Sequence, residues 1–342
     1  MTQLLNIASA EALLEQFKDK PAWADDNWID PRVDYPQPQF SLFQGDTGFM
    51  PLGDFQLVKA KKKSGKTYLC SIYAGSILGC TSFGFRTTIA NPKVIIFDTE
   101  QSKENAARVE RRIRTLAGLD LHTITEKLNA FDLREIDAKL RLGYIQSKMD
   151  IIKPTHVFID GIVDLGFDYM QSDQSTQLLT KLLAMTKGKD YTCSIIGVLH
   201  TNKSDDDHNG RGFLGTESGN KCSEETEVSK RKGTDSVFDV EMTDCRNRPI
   251  QPWSFSIDAH GMPFSTENIK DNEELVKLNA LSELMKKSFD NDVELSTHEL
   301  IERIKTQAPC KERAAYNKLK SAMTANLVCA VNGKNNVYKM AN

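Results

Sequence analysis

Residues 60–67 read Ala-Lys-Lys-Lys-Ser-Gly-Lys-Thr, and this stretch decides the fold that we expect. An apolar run typical of a strand precedes it at 55–59, and a run typical of a helix follows from 65 to about 78. A loop in this setting presents backbone N–H groups and the positive end of a helix to an anion. The stretch therefore predicts a loop that binds phosphate groups.

The predicted loop and the residue after it supply nine candidate phosphate contacts. These are Ala60, Lys61, Lys62, Lys63, Ser64, Gly65, Lys66, Thr67 and Tyr68. We expect the Lys66 ammonium to reach the outer phosphates and the Thr67 hydroxyl to ligate magnesium. Ala60 stands where the usual loop has glycine. The backbone angles that glycine can adopt there would destabilise a residue with a Cβ by about 1 kcal/mol or more. We therefore expect a slightly reshaped loop, and the competing interpretation is a lysine-rich surface turn.

Three further apolar runs, at 94–97, 156–159 and 194–199, read as buried strands. Predicted helices accompany them at 103–116, 136–149 and 175–186. Buried strands that alternate with helices predict an α/β fold with a mostly parallel sheet covered on both faces. We expect the first two of these strands to lie beside the strand of the loop.

Polar side chains follow each of these strands. Asp98 and Glu100 follow the first strand, Asp160 the second and His200 the third. Because the carboxyl ends of parallel strands meet at one edge of a sheet, we expect them to surround the loop. Glu100 is our candidate for the group that activates water, Asp160 for a magnesium site and His200 for a sensor of the terminal phosphate. Asp98 is the alternative candidate for the group that activates water. An acidic cap at the start of the following helix would explain both Asp98 and Glu100. For His200, a purely structural role is an equally good interpretation.

The rest of the core reads as two strands and a long loop. Strand patterns occur at 237–243 and 253–258, whereas residues 201–235 are polar and glycine-rich. We predict a loop over 201–235, and a loop of this length inside a domain is usually functional or mobile.

The 342 residues predict three parts: an arm at 1–45, an α/β core with the predicted phosphate-binding loop at 46–268 and a small domain at 273–342. Hydrophobic residues make up 39% and charged residues 27%, as in ordinary globular proteins. We find no signal-peptide pattern or membrane span, so we expect a cytoplasmic protein without a membrane partner. Seven cysteines without a C-x-x-C pair predict reduced thiols.

The end of the chain is basic although the whole chain has a net charge of −3. Residues 293–342 contain eight lysines and arginines against four glutamates. They read as a helix from about 300, a helix at 311–325 and two strands around a turn at 332–335, which together resemble a winged helix. Its candidate DNA contacts are Lys311, Arg313, Lys318, Lys320 and Lys334. The competing interpretation is a protein-docking module.

With the strand ends assembled, the chain resembles the RecA-like P-loop ATPases, and among them the hexameric plasmid replicative helicases of the RepA type. The resemblance covers about residues 40–263. It rests on 60–67, 94–100, 157–160 and 193–203, with further matches at 210–212 and 245–249. The chain is also similar to AAA-family ATPases of bacterial mobile elements, which often carry a small C-terminal domain.

The resemblance implies ATP and Mg²⁺, a ring of subunits as in the hexameric members, and single-stranded DNA in its channel. Lys66, Thr67, Glu100, Asp160 and His200 match the family's catalytic positions. The family also implies a cation that acts on the neighbour's ATP, and this chain offers Arg246 or Arg248 for it. Lys203 and Arg211, in the long loop, would contact DNA, although this loop also contains many acidic residues.

Three hypotheses follow for the function. The first is an ATP-hydrolysing motor or loader that acts on single- or double-stranded DNA for a plasmid or mobile element. The second is a non-motor, ATP-dependent switch that binds duplex DNA and regulates transposition, excision or replication. The third is a signalling ATPase that does not act on DNA.

Overall fold

The computed structural model describes residues 27–168, 170–201, 212–266, 280–290, 292, 294–331 and 336–340. Twelve strands precede residue 267: β1 Phe40–Gln44, β2 Thr47–Pro51, β3 Phe55–Ala60, β4 Phe85–Thr87, β5 Val94–Asp98, β6 Leu128–Asp132, β7 His156–Asp160, β8 Ser194–His200, β9 Glu224–Lys230, β10 Val237–Cys245, β11 Trp253–Ile257 and β12 Pro263–Thr266. The helices of this part are α1 Lys66–Ile77, α2 Lys103–Leu116, α3 Ala138–Ile152, α4 Ser172–Met185 and α5 Gly212–Lys221.

Nine strands form one sheet, in the order β12-β11-β10-β9-β3-β8-β7-β5-β6. The six strands from β9 to β6 are parallel to one another. The strands β10, β11 and β12 continue the sheet in antiparallel fashion. A small antiparallel sheet, β2-β1-β4, accompanies the main one. The predicted α/β fold with a mostly parallel sheet is confirmed.

Each face of the sheet has its own hydrophobic core. Side chains of α1 and α2, such as Ile72 and Ile113, pack on one face. Side chains of α3 and α4, such as Met149 and Leu182, pack on the other. Burial on both faces explains why these strands are continuous apolar runs in the sequence.

The prediction of a loop over 201–235 is wrong for residues 212–230, which form α5 and β9. β9 is polar in sequence and yet mostly buried, because its first two carboxylates have partners inside the protein. Glu224 accepts a hydrogen bond from the Met50 N–H at 2.9 Å, and Glu225 forms an ion pair with Lys59 at 2.7 Å. Residues 202–211, with Lys203 and Arg211, lie outside the described residues.

The predicted order of the strands is also wrong. β8 lies between β3 and β7, and β5 is the third strand from β3. The contact between β8 and β3 is close at Gly197, because a Cβ there would lie 2.8 Å from the Phe55 ring of β3 and 2.9 Å from Ile162. A side chain at this position would displace the Phe55 ring or Ile162.

The C-terminal residues form a helix at 280–289, which we label α6, β13 Leu295–Ser296, α7 Thr297–Gln307, α8 Glu312–Thr324, β14 Val328–Ala330 and β15 Val337–Met340. The three strands pair in the antiparallel order β13-β15-β14. These elements share a core that includes Phe289, Leu300 and Leu319. A capping box between Ser296 and Glu299 starts α7. The predicted turn at 332–335, with Lys334, lies outside the described residues.

All seven cysteines are free thiols, as predicted. Within the described ranges, we find no helix with both the length and the apolar character needed to cross a membrane.

Candidate functional site

The phosphate-binding loop connects β3 to α1. Gly65 precedes the first turn of α1 with a φ of 89°, a conformation that glycine adopts without steric cost. Ala60 is the fully buried last residue of β3 and pairs in register with His200. Ala60 itself keeps strand geometry and has no positive φ, and a slightly reshaped loop stays a prediction. Besides Gly65, the loop has a positive φ at Lys63, at 62°.

Three predicted residues form a chain of contacts above the loop. The Lys66 Nζ atom lies 3.0 Å from Nδ1 of His200 and 3.4 Å from the Lys61 carbonyl oxygen. The Nε2 atom of His200 lies 3.5 Å from Oε1 of Glu100. The strands β3, β8 and β5 thus bring the predicted lysine, sensor and catalytic carboxylate together at one edge of the sheet.

Thr67 and Asp160 form the second contact of the site. The Thr67 hydroxyl donates a hydrogen bond of 2.8 Å to Oδ2 of Asp160. Hydroxyl and carboxylate oxygens suit Mg²⁺, which usually keeps water and phosphate oxygens as its other ligands. In the described part of the chain, no group of three or more His, Cys, Asp or Glu side chains could hold a metal ion alone. Thr67 and Asp160 are the two residues that would hold a magnesium ion at this point of the site.

Asp98 and Glu100 have different environments, although both follow β5. Both oxygens of the Asp98 carboxylate are used locally: Oδ1 accepts from the backbone N–H groups of Glu100 and Gln101, and Oδ2 from the Gln101 amide. Glu100 instead faces His200 across the cavity. Gly161 makes room for it, since a Cβ there would lie 3.0 Å from Oε1 of Glu100. Asp98 shapes the turn, and Glu100 is available for chemistry.

These residues line a cavity of about 530 Å³. Its cations are Lys62, Lys63, Lys66, Arg108 and Arg112, and its carboxylates are Glu100 and Asp160. The excess of positive charge suits a polyanion such as a triphosphate.

Burial and hydrogen bonding perturb the ionisable groups of the cavity. Burial lowers the pKa of Lys66, against the opposing effect of Asp160 and Glu100. The hydrogen bond from His200 lowers the pKa of Glu100, so that this carboxylate is ionised at neutral pH. Burial raises the pKa of Asp160 to about 6. A cation that binds beside Asp160 would favour its ionised form.

Sequence reasoning missed the wall of the cavity beyond Tyr68. The Arg112 guanidinium lies over the Tyr68 ring, 4.0 Å from its centroid, and contacts the Gly261 carbonyl and the Ser71 hydroxyl at 3.3 Å each. The Phe238 ring of β10 completes this wall and packs against Gly65. The arginines of α2 were visible in the sequence, but the strand that delivers Phe238 lies far from the loop in the chain.

The structure does not bring Arg246 and Arg248 to this cavity. Phe238, near the start of β10, contacts Gly65, whereas Cys245 ends the strand seven residues later, about 23 Å away in an extended chain. Arg246 follows at the opposite edge of the sheet, where it donates to the carbonyl oxygens of Ser223 and Lys221. Both arginines are exposed, and neither lines the cavity of its own chain.

The candidate DNA contacts of the C-terminal elements lie on different sides. Lys311, Arg313 and Lys320 are exposed. Lys318, which was expected to point outward with them, is half-buried, and its Nζ atom lies 3.9 Å from Sγ of Cys310. This expectation is wrong because position 318 lies about 140° around the helix from position 313.

Comparison with known proteins agrees with this geometry. The family model described as AAA domain matches residues 22–206, which is more than half of the chain and includes Lys66, Glu100, Asp160 and His200. A search of curated proteins gave no match. The chain therefore belongs to the AAA domain family of P-loop ATPases.

Proposed function

We propose that this chain hydrolyses ATP in the cavity above its phosphate-binding loop and uses the hydrolysis to act on DNA as an oligomer. In this proposal it is a helicase-like or loader ATPase of a plasmid or mobile element. The ATPase part of the proposal rests on two groups of contacts around one cavity, Lys66–His200–Glu100 and Thr67–Asp160.

The roles of the residues follow from their chemistry. The Lys66 ammonium and the N–H groups at the start of α1 bind and orient the phosphates. Glu100 is ionised at neutral pH and can orient an attacking water and accept its proton. Thr67 and Asp160 are the residues that would hold Mg²⁺, which neutralises phosphate charge when bound.

The cavity continues past Tyr68, where the loop ends and the nucleoside part of the substrate would lie. The planar Arg112 guanidinium, supported on one side by the Tyr68 ring, offers a surface on which a base can stack. We place the base there, because the other end of the cavity is occupied by Glu100, His200 and Asp160.

The distance of Arg246 and Arg248 from their own cavity supports action on the ATP of a neighbouring subunit. This part of the proposal can be tested by mixing two variants, Lys66→Ala and Arg248→Ala, that we expect to be inactive separately. Mixed oligomers should regain part of the ATPase activity, because some interfaces then combine an intact loop with an intact arginine. No recovery on mixing, in oligomers shown to exchange subunits, would contradict this role.

The order of elements from α6 to β15 supports the assignment of a winged helix to residues 273–342. A helix, a strand, two helices and two further strands follow one another, and the first strand pairs with the last. In such a domain, the second helix after the first strand enters DNA. That helix is α8, and its exposed Arg313 and Lys320 favour DNA over an uncharged partner.

The same observation also favours the alternative, a non-motor switch that binds duplex DNA and regulates transposition, excision or replication. A winged helix binds duplex DNA without any need for strand separation. The two proposals differ in turnover, since a motor hydrolyses ATP faster on DNA and a switch hydrolyses it slowly.

One set of measurements tests the proposal. The ATPase rate of the full chain should be compared with those of Glu100→Gln and Lys66→Ala, without DNA and with single- or double-stranded DNA, together with molar mass by light scattering. We expect a nucleotide-dependent oligomer, stimulation by DNA and loss of activity in both variants. Activity that survives in Lys66→Ala would refute the site, and a slow rate that DNA does not change would favour the switch.

A further inference from the structure

Thr99 and Asp164 have no part in the chemistry proposed so far, although they lie beside residues that do. Thr99 directly precedes Glu100 at the end of β5 and is 3% exposed. Asp164 ends a short 3₁₀ helix, Ile162–Asp164, which follows Asp160 of β7. The Thr99 hydroxyl donates to Oδ2 of Asp164 at 3.0 Å. A side-chain hydrogen bond therefore joins the two segments that carry Glu100 and Asp160.

The proton of the Thr99 hydroxyl has three acceptors within reach. Besides Oδ2 of Asp164, the carbonyl oxygens of Asp160 and Gly161 lie 3.0 and 3.1 Å from Oγ1. Both carbonyl oxygens already accept a backbone hydrogen bond, from the N–H of Thr99 at 3.0 Å and that of Asp164 at 3.2 Å. A hydroxyl has one proton to donate, and a hydrogen bond to an ionised acceptor is about twice as strong as one between neutral groups. The Asp164 carboxylate is therefore the acceptor that takes this proton.

Asp164 is held in place by a second contact. The Arg141 guanidinium of α3 donates from Nη1 to the Asp164 carbonyl oxygen at 2.9 Å. The Nε and Nη2 atoms of Arg141 donate to the carbonyl oxygens of Ile136 and Arg134, at 3.0 and 3.1 Å. Arg141 thus ties the end of the 3₁₀ helix to the segment between β6 and α3. Asp164 consequently has a fixed position from which it can hold Thr99.

The carboxylates of Glu100 and Asp164 meet at the open face of Gly161. A Cβ on Gly161 would lie 3.0 Å from Oε1 of Glu100 and 3.1 Å from Oδ2 of Asp164. Two oxygens at these distances from one point are no more than about 6 Å apart, a distance at which like charges repel each other. Burial raises the pKa of Asp164, and the charge of Glu100 adds to this effect against the hydrogen bond from Thr99. Glu100 has its favourable partner in His200.

From these contacts we propose that Asp164 is a positioning residue of the ATPase site, which fixes Glu100 through the Thr99 hydroxyl. The proposal rests on the hydrolysis of ATP proposed above and adds two residues that are not among those that line the cavity. The backbone hydrogen bond from Thr99 to Asp160 holds the ends of β5 and β7 together, and the contact with Asp164 prevents the end of β5 from turning. This restraint matters because a displacement of about 1 Å can reduce a rate about 100-fold.

Two substitutions break the contact, one from each end. Thr99→Val keeps the shape of the side chain and removes its hydroxyl, and Asp164→Ala removes the acceptor. Each should lower kcat about 10- to 100-fold and leave the KM for ATP within about twofold, because the phosphate-binding loop is unchanged. If Asp164→Ala does not fold, Thr99→Val decides. An unchanged kcat, or a higher KM at unchanged kcat, would overturn the proposal.

Conservative variants separate positioning from a loss of stability or of charge. Thr99→Ser keeps the hydroxyl, and Asp164→Asn keeps an oxygen that accepts its proton, so both should retain kcat within about threefold. If Asp164→Asn is as slow as Asp164→Ala, the charge of Asp164 is what matters and the proposal is wrong. Urea denaturation of each variant reports its stability. The control is Thr115→Val, which removes an exposed hydroxyl of α2 that bonds only to its own helix.

A further measurement shows whether the pair acts through Glu100. In single-turnover experiments, Glu100→Gln should hydrolyse ATP equally slowly with and without Thr99→Val, because a residue that acts only through this carboxylate then has no effect left to lose. A loss in this background as large as in the unchanged chain would contradict the proposal. A chain that hydrolyses no ATP would refute the proposed function and this proposal with it. Full hydrolysis in both Thr99→Val and Asp164→Ala would refute this proposal alone.

Discussion

The Nζ atom of Lys66 lies 3.0 Å from Nδ1 of His200. An ammonium group has only donors, so Nδ1 accepts the hydrogen bond and the ring proton is on Nε2, which faces Glu100 at 3.5 Å. A single imidazole thereby joins Lys66 to Glu100, the two residues to which the proposed function gives phosphate binding and water activation. Under the proposed function, a triphosphate that binds Lys66 would release His200 from this contact, and His200 would then contact the terminal phosphate.

Replacement of His200 tests this connection. His200→Ala should lower kcat about 10- to 150-fold, the effect of losing a hydrogen bond to a charged group, without weakening ATP binding. The pKa of Glu100 should rise toward its ordinary value, because the His200 hydrogen bond is the main cause of its lowered pKa. The acid limb of the pH–rate profile should therefore move to higher pH.

The control for this variant is His122→Ala, a substitution in an exposed loop. An unchanged acid limb in His200→Ala, together with a lower kcat, would mean that His200 acts on the loop and not on Glu100.

The sequence was sufficient where the determining signals are local. The loop at 60–67 and the strand ends at Glu100, Asp160 and His200 could be placed, because each combines an apolar run with a polar residue directly after it. The contacts between these residues follow once the strands are parallel and their carboxyl ends meet at one edge.

The parts of the fold that could not be predicted depend on contacts between residues that are distant in the chain. β9 could not be predicted, because its carboxylates are tolerated inside only through Met50 and Lys59. The packing of β8 against β3 likewise involves residues far apart in the chain, such as Gly197 and Phe55. Such compensation between distant residues leaves no local signal in the sequence.

The backbone of Lys63 predicts an effect of mutation on stability. Lys63 has a φ of 62°, which costs a residue with a Cβ about 1 kcal/mol. Lys63→Gly should therefore stabilise the nucleotide-free chain by up to about 1 kcal/mol in urea denaturation. Ala60→Gly, which restores the usual residue of the loop, should instead destabilise it by about 0.5–1 kcal/mol, because position 60 is in a strand. The opposite ranking of the two variants would contradict the geometry of the loop.

Glu224 predicts a pH dependence of stability. Burial raises the pKa of this carboxyl from 4.5 to about 7, although the Met50 N–H partly offsets the effect. The folded state thus holds a proton that the unfolded state releases between these two values, so this group's contribution to stability falls as pH rises from about 4.5 to about 7. In Glu224→Gln this fall should be absent. Above pH 7, the free energy of unfolding of this variant should exceed that of the unchanged chain by up to about 3 kcal/mol.

Urea denaturation of Glu224→Gln at pH 5 and pH 8 measures this difference. The matched control is the neighbouring Glu225→Gln, which breaks the ion pair with Lys59 and leaves a buried ammonium group unpaired. This control should destabilise the chain at pH 8 by about 3–5 kcal/mol. A Glu224→Gln variant that is less stable than the unchanged chain at pH 8 would show that its carboxylate is favourable when ionised.

Phe238 predicts an effect on ATP binding from outside the loop. A Cβ on Gly65 would lie 2.7 Å from the Phe238 ring, so the ring fills the space that glycine leaves open. Phe238 also stacks on Phe255, with ring centroids 5.1 Å apart, which fixes the ring on the sheet. We expect the ring to confine the backbone at Gly65, which precedes the N–H groups at the start of α1.

Phe238→Ala removes this confinement and should raise the KM for ATP about tenfold with a smaller change in kcat, because binding and not the chemical groups is affected. Phe238→Leu keeps part of the side-chain volume, so its KM for ATP should lie between those of Phe238→Ala and the unchanged chain. Unfolding must be measured in parallel, since loss of a buried phenyl ring costs about 3–5 kcal/mol. Phe264→Ala, at a 47% exposed position of β12, is the control. A lower kcat at unchanged KM in Phe238→Ala would place the ring's effect on Glu100 and His200 instead of on the loop.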